Sequence, residues 1–537
     1  MYFIYFVYLI IYLYIVKISE KSLHMLQQNL YNENNRYLKW IKDNHKLITR
    51  NIDLYSIAFA VLIISTTNNI LVNIFLSIII CVYLVSYMRF KERKKQEQNK
   101  KPLVITARIK RLVITISILY LIPLVIALST NYVYDCLLFL TIMTSLNFYI
   151  VYLAKLINTP IEKSVFNHYK NNAKKKLKSM PDLKIIGITG SYGKTSSKNI
   201  LADILNAKYN ALPSPKSLNT MNGLMITVNN HLSKFDDVLI AEMGAYTRGE
   251  INELCQLIRP KYGIITSIGT AHLATFGSEE NIQKAKMELI EYLPSDGIGV
   301  LNKDDPKQKK YKIQNDCMIK WIGIDSDDVD VKASNIKCNN KGTSFDCTFK
   351  GDKNTYKFET RLLGKHNVYN ILAGLALGYE FGLTIKELQQ GVKMCRPTEH
   401  RLELKKLGNI YQIDDAYNSN PVGAKSALDV LDMMEGTKVV VTPGMVELGE
   451  KQDELNKIFG EQISQVADYV ILIGEKQTKP IMEGLNNKKF NKDNIYVLND
   501  VRKAYSLLNE LKTSKELYAL FENDLPDTYT EVGGKKW

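Results

Sequence analysis

The run Ile185-Ile186-Gly187-Ile188-Thr189-Gly190-Ser191-Tyr192-Gly193-Lys194-Thr195-Ser196-Ser197-Lys198 constrains this chain more than any other segment. An apolar stretch ends in a glycine turn, and a lysine followed by hydroxyls opens what should be a helix. Strand, glycine loop and helix N-terminus together make a phosphate cradle. Gly190 and Gly193 let backbone N–H groups approach phosphate oxygens, Lys194 neutralises them, and Thr195, with Ser196 beside it, stands where Mg2+ is held. Ile188 sits where a strict eight-residue phosphate loop has its first glycine, but Gly-x-x-Gly-Lys-Thr is intact. A glycine turn by itself is usually only a turn. The Lys-Thr after it and the β-rich run before it imply nucleotide binding.

The 537 residues are enough for three or four domains. The net charge of +15 is localised: ten Lys/Arg and two Glu fall between Arg89 and Arg111, wedged between apolar segments. No known nucleic-acid-binding module with interleaved stacking aromatics accompanies these charges, so the expectation is no nucleic-acid partner. The seven cysteines are scattered without a Cys-x-x-Cys pair, which argues against a zinc ribbon or a disulfide framework and for a reduced, intracellular setting.

Residues 1–157 read as an α-helical transmembrane domain of about five spans: Met1–Val16, two short spans within Leu54–Met88 separated at Ser65-Thr66-Thr67-Asn68-Asn69, Leu112–Ser129 and Cys136–Ile157. The basic segments Lys17–Arg50, Arg89–Arg111 and Lys163–Lys184 then share one side. This predicts a multi-pass cell-membrane protein with cytoplasmic catalytic domains and membrane lipids as partners. Residues 158–183 read as a basic juxtamembrane linker. From 184 to 395, short apolar runs such as Asp237–Glu242, Tyr262–Ser267 and Gly299–Asn302 alternate with amphipathic stretches. That alternation predicts a parallel sheet covered on both faces. Residues 396–537 resume the rhythm at Lys438–Thr442 and Tyr469–Ile473, predicting a second α/β domain.

In such sheets ligands lie at the carboxyl ends of strands. Glu242 closes one apolar strand and is either a solvated turn residue or a Mg2+ ligand opposite the glycine loop. His272 follows a Gly-Thr-Ala turn at another strand end; a lone histidine is more often structural, yet this one stands where metal or phosphate would lie. Ser278, followed by Glu279 and Glu280, reads as a helix N-cap with acids in the first turn, and Lys284 and Lys286 further along read alone as solvated surface.

Taken in order, Gly190–Lys198, Glu242, the His272–Lys286 segment, Gly364-Lys365-His366-Asn367-Val368-Tyr369-Asn370, His400-Arg401-Leu402-Glu403, Asp414-Asp415-Ala416-Tyr417-Asn418-Ser419-Asn420-Pro421 and Gly444-Met445-Val446-Glu447-Leu448-Gly449 resemble the ATP-dependent Mur ligases of peptidoglycan synthesis, most of all the MurF type. The resemblance covers about residues 184–475. It implies a P-loop ATPase-type central domain and a Rossmann-like C-terminal domain, with ATP and two Mg2+ ions as cofactors. By resemblance Lys194 and Thr195 hold the ATP phosphates and first Mg2+, with Glu242 as a further ligand. His272 binds the second Mg2+, and Lys286 aligns with the lysine that members carbamylate, Lys284 being the neighbour with which it can be confused. Asn367 and Asn370 contact adenine, Arg401 reaches the γ-phosphate and Asp415 the ribose. The implied reaction couples a muramyl-peptide carboxylate, UDP- or lipid-linked, to D-alanyl-D-alanine or another amine through an acyl phosphate.

The sequence departs from the pattern in three places. Residues 1–157, read as membrane spans, are expected to take the place of the usual soluble UDP-binding domain, Leu218-Asn219-Thr220-Met221-Asn222-Gly223 matches only in part, and Leu520-Phe521-Glu522-Asn523-Asp524-Leu525-Pro526-Asp527 stands where a Lys-Gly-Ser turn is usual. Competing readings are a poly-γ-glutamate-type or amidating ligase and, from another class, a non-catalytic membrane scaffold. Against the scaffold stands the joint presence of Lys194, Thr195, Glu242, His272, Lys286 and Arg401.

Overall fold

The computed structural model describes residues 103–129 and 146–523, apart from 417–418, 447, 449–450 and 512–514, with shorter stretches between 12 and 44 and between 139 and 143. It comprises two units, Met1–His168 and Tyr169–Trp537. In the first, α1 (Ala107–Ser129) opens on Arg108, Lys110 and Arg111 and carries Pro123 inside it. Helix α2 (Asn147–Lys178) runs unbroken past Lys155, Glu162 and Lys163 into a lysine-rich end.

Polar contacts run through this region. Asn147, 1% exposed, donates to Ser19 Oγ at 2.8 Å and Tyr120 Oη at 3.0 Å and accepts from Ser22 Oγ at 2.6 Å. The Arg111 guanidinium makes two bonds to Glu162, at 2.7 and 3.0 Å. Among the described residues no helix is long and apolar enough to cross a membrane. The expectation of a transmembrane domain over 1–157 is therefore overturned, and with it the cell-membrane location and the membrane-lipid partners. The helices do not stop at the apolar runs: α1 begins among Arg108, Lys110 and Arg111, and α2 continues through Lys155, Glu162 and Lys163. The expected spans Met1–Val16, apart from Tyr12 and Ile15, and Leu54–Met88, together with residues 136–138, 141–142 and 144–145 of the last expected span, lie outside the described residues.

The second unit holds two sheets. The first is built from β1 (Lys184–Thr189), β2 (Ala211–Pro213), β3 (Val238–Glu242), β4 (Tyr262–Ile265), β5 (Ile298–Asn302), β6 (Met318–Gly323), β7 (Val331–Asn339), β8 (Gly342–Phe349) and β9 (Thr355–Thr360), in the order β2-β3-β1-β4-β5-β6-β7-β8-β9. Neighbours from β2 to β7 are parallel, and β8 and β9 add an antiparallel extension. Strands β1 and β3 are nearly all buried, as continuous Val/Ile/Leu runs must be when helices cover both faces. Those helices include α3 (Lys194–Leu205), α4 (Glu250–Ile258), α5 (Glu279–Tyr292), α6 (Lys365–Glu380) and α7 (Ile385–Met394). Ile200, Leu201 and Ile204 of α3 meet Ile371, Leu375 and Leu388 in one core with Ile186 and Ile240.

The second sheet is built from β10 (Glu403–Leu407), β11 (Ile410–Asp415), β12 (Thr437–Thr442), β13 (Tyr469–Ile473), β14 (Ile495–Leu498) and β15 (Leu517–Glu522), in the order β10-β11-β15-β12-β13-β14. All its pairs are parallel except β10 with β11. Its helices are α8 (Pro421–Asp432), α9 (Gln452–Ile463), α10 (Lys479–Asn487) and α11 (Arg502–Glu510).

Candidate active site

Strand β1 ends at Thr189, and the chain turns at Gly190 with φ +152°. A Cβ there would stand 2.0 Å from Thr266 Oγ1, so only glycine fits the turn. Gly193, with φ +79°, caps α3. The loop is tied to the end of β4: the Ser191 N–H donates to Ser267 O at 2.7 Å and Thr266 Oγ1 donates to Tyr192 O at 2.6 Å. Lys194 folds back over the loop and donates to Gly190 O at 2.8 Å and Ser191 O at 3.3 Å. Burial pushes its pKa down; the Glu242 charge opposes that shift and the Arg401 charge adds to it. The result is a cation above a helix N-terminus, the arrangement that receives phosphate.

Parallel pairing of β1 with β3 sets Ile188 beside Glu242 and delivers that carboxylate to the loop. Glu242 is 1% exposed. Its Oε2 accepts from Thr195 Oγ1 at 3.0 Å and from Lys198 Nζ at 3.1 Å, and its Oε1 accepts from Asn219 Nδ2 at 3.0 Å. Lys198 also donates to Lys216 O at 2.5 Å. Lys198 and Glu242 form a buried ion pair, and loss of either partner would leave an uncompensated charge costing roughly 3–5 kcal/mol. The hydroxyl of Thr195 and the carboxylate of Glu242 are hard oxygen donors within hydrogen-bond distance of each other, a set that suits Mg2+.

His272 lies exposed beyond β4 in a left-handed conformation, φ +60°, its ring edge-on to Tyr246 at 4.6 Å between centroids. Partial burial, then the charges of Lys194 and Lys286, lower its pKa, which favours the neutral imidazole that a metal requires. Helix α5 begins at the expected cap, Ser278 accepting from Asn281 N. On it Lys284 is a surface residue paired with Glu280 at 2.6 Å. Lys286 is different. It is 2% exposed, donates to Ala245 O at 3.4 Å and holds its ammonium 5.4 Å from the Phe276 ring centre. Burial first and the Lys194 charge second lower its pKa to about 7, against the pull of Glu250 and Glu288.

Asn367 and Asn370 are buried in the first turns of α6 and joined by a 3.4 Å bond from Asn370 Nδ2 to Asn367 Oδ1. Asn370 also lies against the glycine loop, since a Cβ on Gly193 would be 3.5 Å from its Oδ1. From the second sheet, Arg401 sits between His400 and Leu402, which have φ of 57° and 47°. Its charge reaches both Lys194 and Asp415. Asp415 closes β11 and accepts from Leu402 N at 3.2 Å.

The sequence pattern of the Mur ligase middle domain matches residues 188–378, and that of the Mur ligase glutamate ligase domain matches residues 400–518. The UDP-N-acetylmuramoyl-tripeptide–D-alanyl-D-alanine ligase of Buchnera aphidicola subsp. Acyrthosiphon pisum is 31% identical over 310 residues, covering 57% of this chain and 67% of that protein. The chain belongs to the Mur ligase family. Proteins of the same name from Bacillus subtilis and Escherichia coli are 34% and 30% identical over 52% and 55% of this chain. The chain spans 60% and 65% of their respective lengths. MurF from Thermotoga maritima in complex with ADP superposes with a TM-score of 0.59 at 25% identity, over 67% of this chain and 80% of that one. MurF from Acinetobacter baumannii has the same fold, with a TM-score of 0.60 at 23% identity.

In this Mur ligase, Gly190, Gly193, Lys194, Thr195, Glu242 and Asn370 gather at one end of β1, with His272, Lys286 and Arg401 in electrostatic reach of Lys194 or of one another. Ser196 occupies the first turn of α3 with no hydrogen bond to the cluster among those described. Three participants were not singled out from sequence. Lys198 was signalled only by its place one helical turn after Lys194. Asn219 lay in the partly matched loop. Glu522 meets Asp415 across more than a hundred residues, which no local pattern reveals.

Proposed function

We propose that this chain is an ATP-dependent ligase of peptidoglycan precursor synthesis, joining D-alanyl-D-alanine or a similar amine to a muramyl-peptide carboxylate. The observation carrying the proposal is the joining of a phosphate loop, a Thr195–Glu242 oxygen pair and a buried near-neutral lysine in one site. Relatives named for this reaction, and the ADP complex of the Thermotoga maritima enzyme, support it. Residues 184–395 act as the ATP-binding domain, 158–183 as the segment leading to it and 396–537 as the C-terminal domain.

A carboxylate oxygen attacks the γ-phosphorus, the bond to the β,γ-bridging oxygen breaks, and ADP leaves with the electron pair. The amine nitrogen then attacks the acyl-phosphate carbon, the carbon–oxygen bond breaks, and orthophosphate departs while the amine proton passes to solvent. Carboxylate and triphosphate repel by several kcal/mol at short range. Lys194 from one domain and Arg401 from the other offset that repulsion, while Asn367 and Asn370 hold adenine and Asp415 the ribose. Thr195 with Glu242, and His272 with Lys286, would hold Mg2+, which when bound would supply further charge neutralisation. The Lys286 amine, its pKa lowered to about 7, is suited to add CO2, an N–C bond forming as a proton leaves, and the carbamate would supply a carboxylate-like ligand.

The deciding assay supplies the full chain with ATP, a UDP-linked muramyl tripeptide and D-alanyl-D-alanine and follows product mass. The expected result is the sum of the two substrates less water, with ADP and orthophosphate formed in step and only when both substrates are present. Nucleotide turnover without adduct, or none at all, would overturn the assignment.

A further inference from the structure

Outside the phosphate-loop cluster the most unusual group is Glu522. It ends β15, is 0% exposed and stands in register beside Asp415 at the end of β11. Its Oε1 accepts from Ser419 Oγ at 2.5 Å, and its Oε2 receives no N–H or O–H donor from any described residue. The neighbour of this carboxyl on the adjoining strand is the carboxyl-bearing Asp415, its register partner. Two buried carboxyl groups side by side, one with an oxygen that no donor reaches, are not both ionised, so the pair retains a proton. The next residue closes the knot. Asn523, with φ +73°, donates its N–H to Asp415 O at 3.2 Å and its Nδ2–H to Gly444 O at 2.7 Å. Glu522 and Asn523 thus join the Asp415 loop, the Ser419 cap region and the Gly444 turn at one edge of the second sheet.

We infer that Glu522 is a positioning residue that shares a single proton with Asp415 and so fixes the Asp415 carboxyl for the nucleotide. The inference rests on the proposed ATP reaction and on Asp415 facing the ribose. Its Oε1 anchors the loop through Ser419, and the shared proton prevents two buried anions from facing each other. The charged groups around the pair are Arg401, which favours ionised Asp415, and Asp414, which disfavours it; Asp414 is itself neutralised by Lys405 at 2.7 Å and bonded to His400 at 2.9 Å. Burial is the main cause raising both carboxyl pKa values, Asp415 to about 6 and Glu522 well above the usual range. Both groups are raised, so the proton is held at low pH and lost as pH rises. Nucleotide affinity is therefore expected to fall toward alkaline pH.

The experiment measures ATP binding and KM against kcat for the full chain, Glu522→Gln and Glu522→Ala from pH 6 to 9. The glutamine variant keeps a donor toward Asp415 and an acceptor for Ser419 and has nothing to lose to base. Its ATP affinity should match the parent at pH 6 and stay flat to pH 9, where the parent weakens. The alanine variant should raise KM for ATP about tenfold with kcat little changed, the loss expected for one charged hydrogen bond. A parent that binds ATP with an affinity independent of pH, or a glutamine variant that follows the parent's alkaline decline, would overturn the inference while leaving the ligase assignment standing. Failure of the parent to bind ATP at any pH would remove both. If the alanine variant does not fold, the glutamine profile decides alone.

Discussion

Lys286 shows how far one residue's role depends on surroundings that the sequence does not display. Two lysines two positions apart on α5 read alike as letters, and both read as surface. One is paired with Glu280 in solvent; the other lies under the His272 loop with its pKa brought down to about 7. A lysine whose folded pKa lies below its unfolded value gives stability present above the unfolded pKa and lost as pH falls through the folded one. Here that window runs from about 10.5 down to about 7. Lys286→Met should therefore raise the melting temperature most below pH 7, by the equivalent of a few kcal/mol, with the gain shrinking toward pH 10. Ligase activity should be lost at every pH. Thermal melts at pH 6 and pH 10 check this; a gain independent of pH would mean that the amine is not held near neutral. The clustering of Lys194 and Thr195 at the loop was legible from the glycine turn followed by Lys-Thr, whereas for Glu242 the sequence left a solvated turn residue open and its burial beside Thr195 excludes that reading. Lys198 and Asn219 were not legible, since what they do is bond to a carboxylate far away in sequence.

At the scale of elements, the strands carrying the site were readable because buried parallel strands are near-continuous apolar runs. The runs at 237–242, 262–267 and 299–302 became β3, β4 and β5, and those at 438–442 and 469–473 became β12 and β13. The antiparallel β7, β8 and β9 were not singled out because the sequence reading followed continuous apolar runs, whereas β8 alternates buried Phe345, Cys347 and Phe349 with less buried polar residues. The turn joining β1 to α3 has the tightest steric demand in the site. Gly190→Ala would drive a methyl group into Thr266 Oγ1 at an unfavourable φ. It should lower folding stability by about 1–3 kcal/mol. It should also abolish nucleotide binding, because the loop would have to leave the end of β4. Denaturant unfolding with a parallel ATP-binding measurement tests this, and normal binding by the variant would show that the loop tolerates a different path.

For the molecule as a whole, Arg401, just before the second sheet, connects the two halves of the site, its charge acting on Lys194 at the first sheet and on Asp415 in the second. The N-terminal part was the least legible. Apolar letter runs suggested spans, whereas the described helices carry Arg111, Asn147 and Glu162 in hydrogen-bonded pairs and none is suited to crossing a bilayer. The central claim is that a carboxylate is activated as an acyl phosphate at the junction of these sheets. Acceptor peptide labelled with 18O in its reacting carboxylate, incubated with the full chain, ATP and D-alanyl-D-alanine, tests it most directly. One labelled oxygen should appear in each orthophosphate released, because the oxygen that attacked phosphorus stays with it when the amine displaces phosphate. Amide product accompanied by unlabelled orthophosphate would contradict the account.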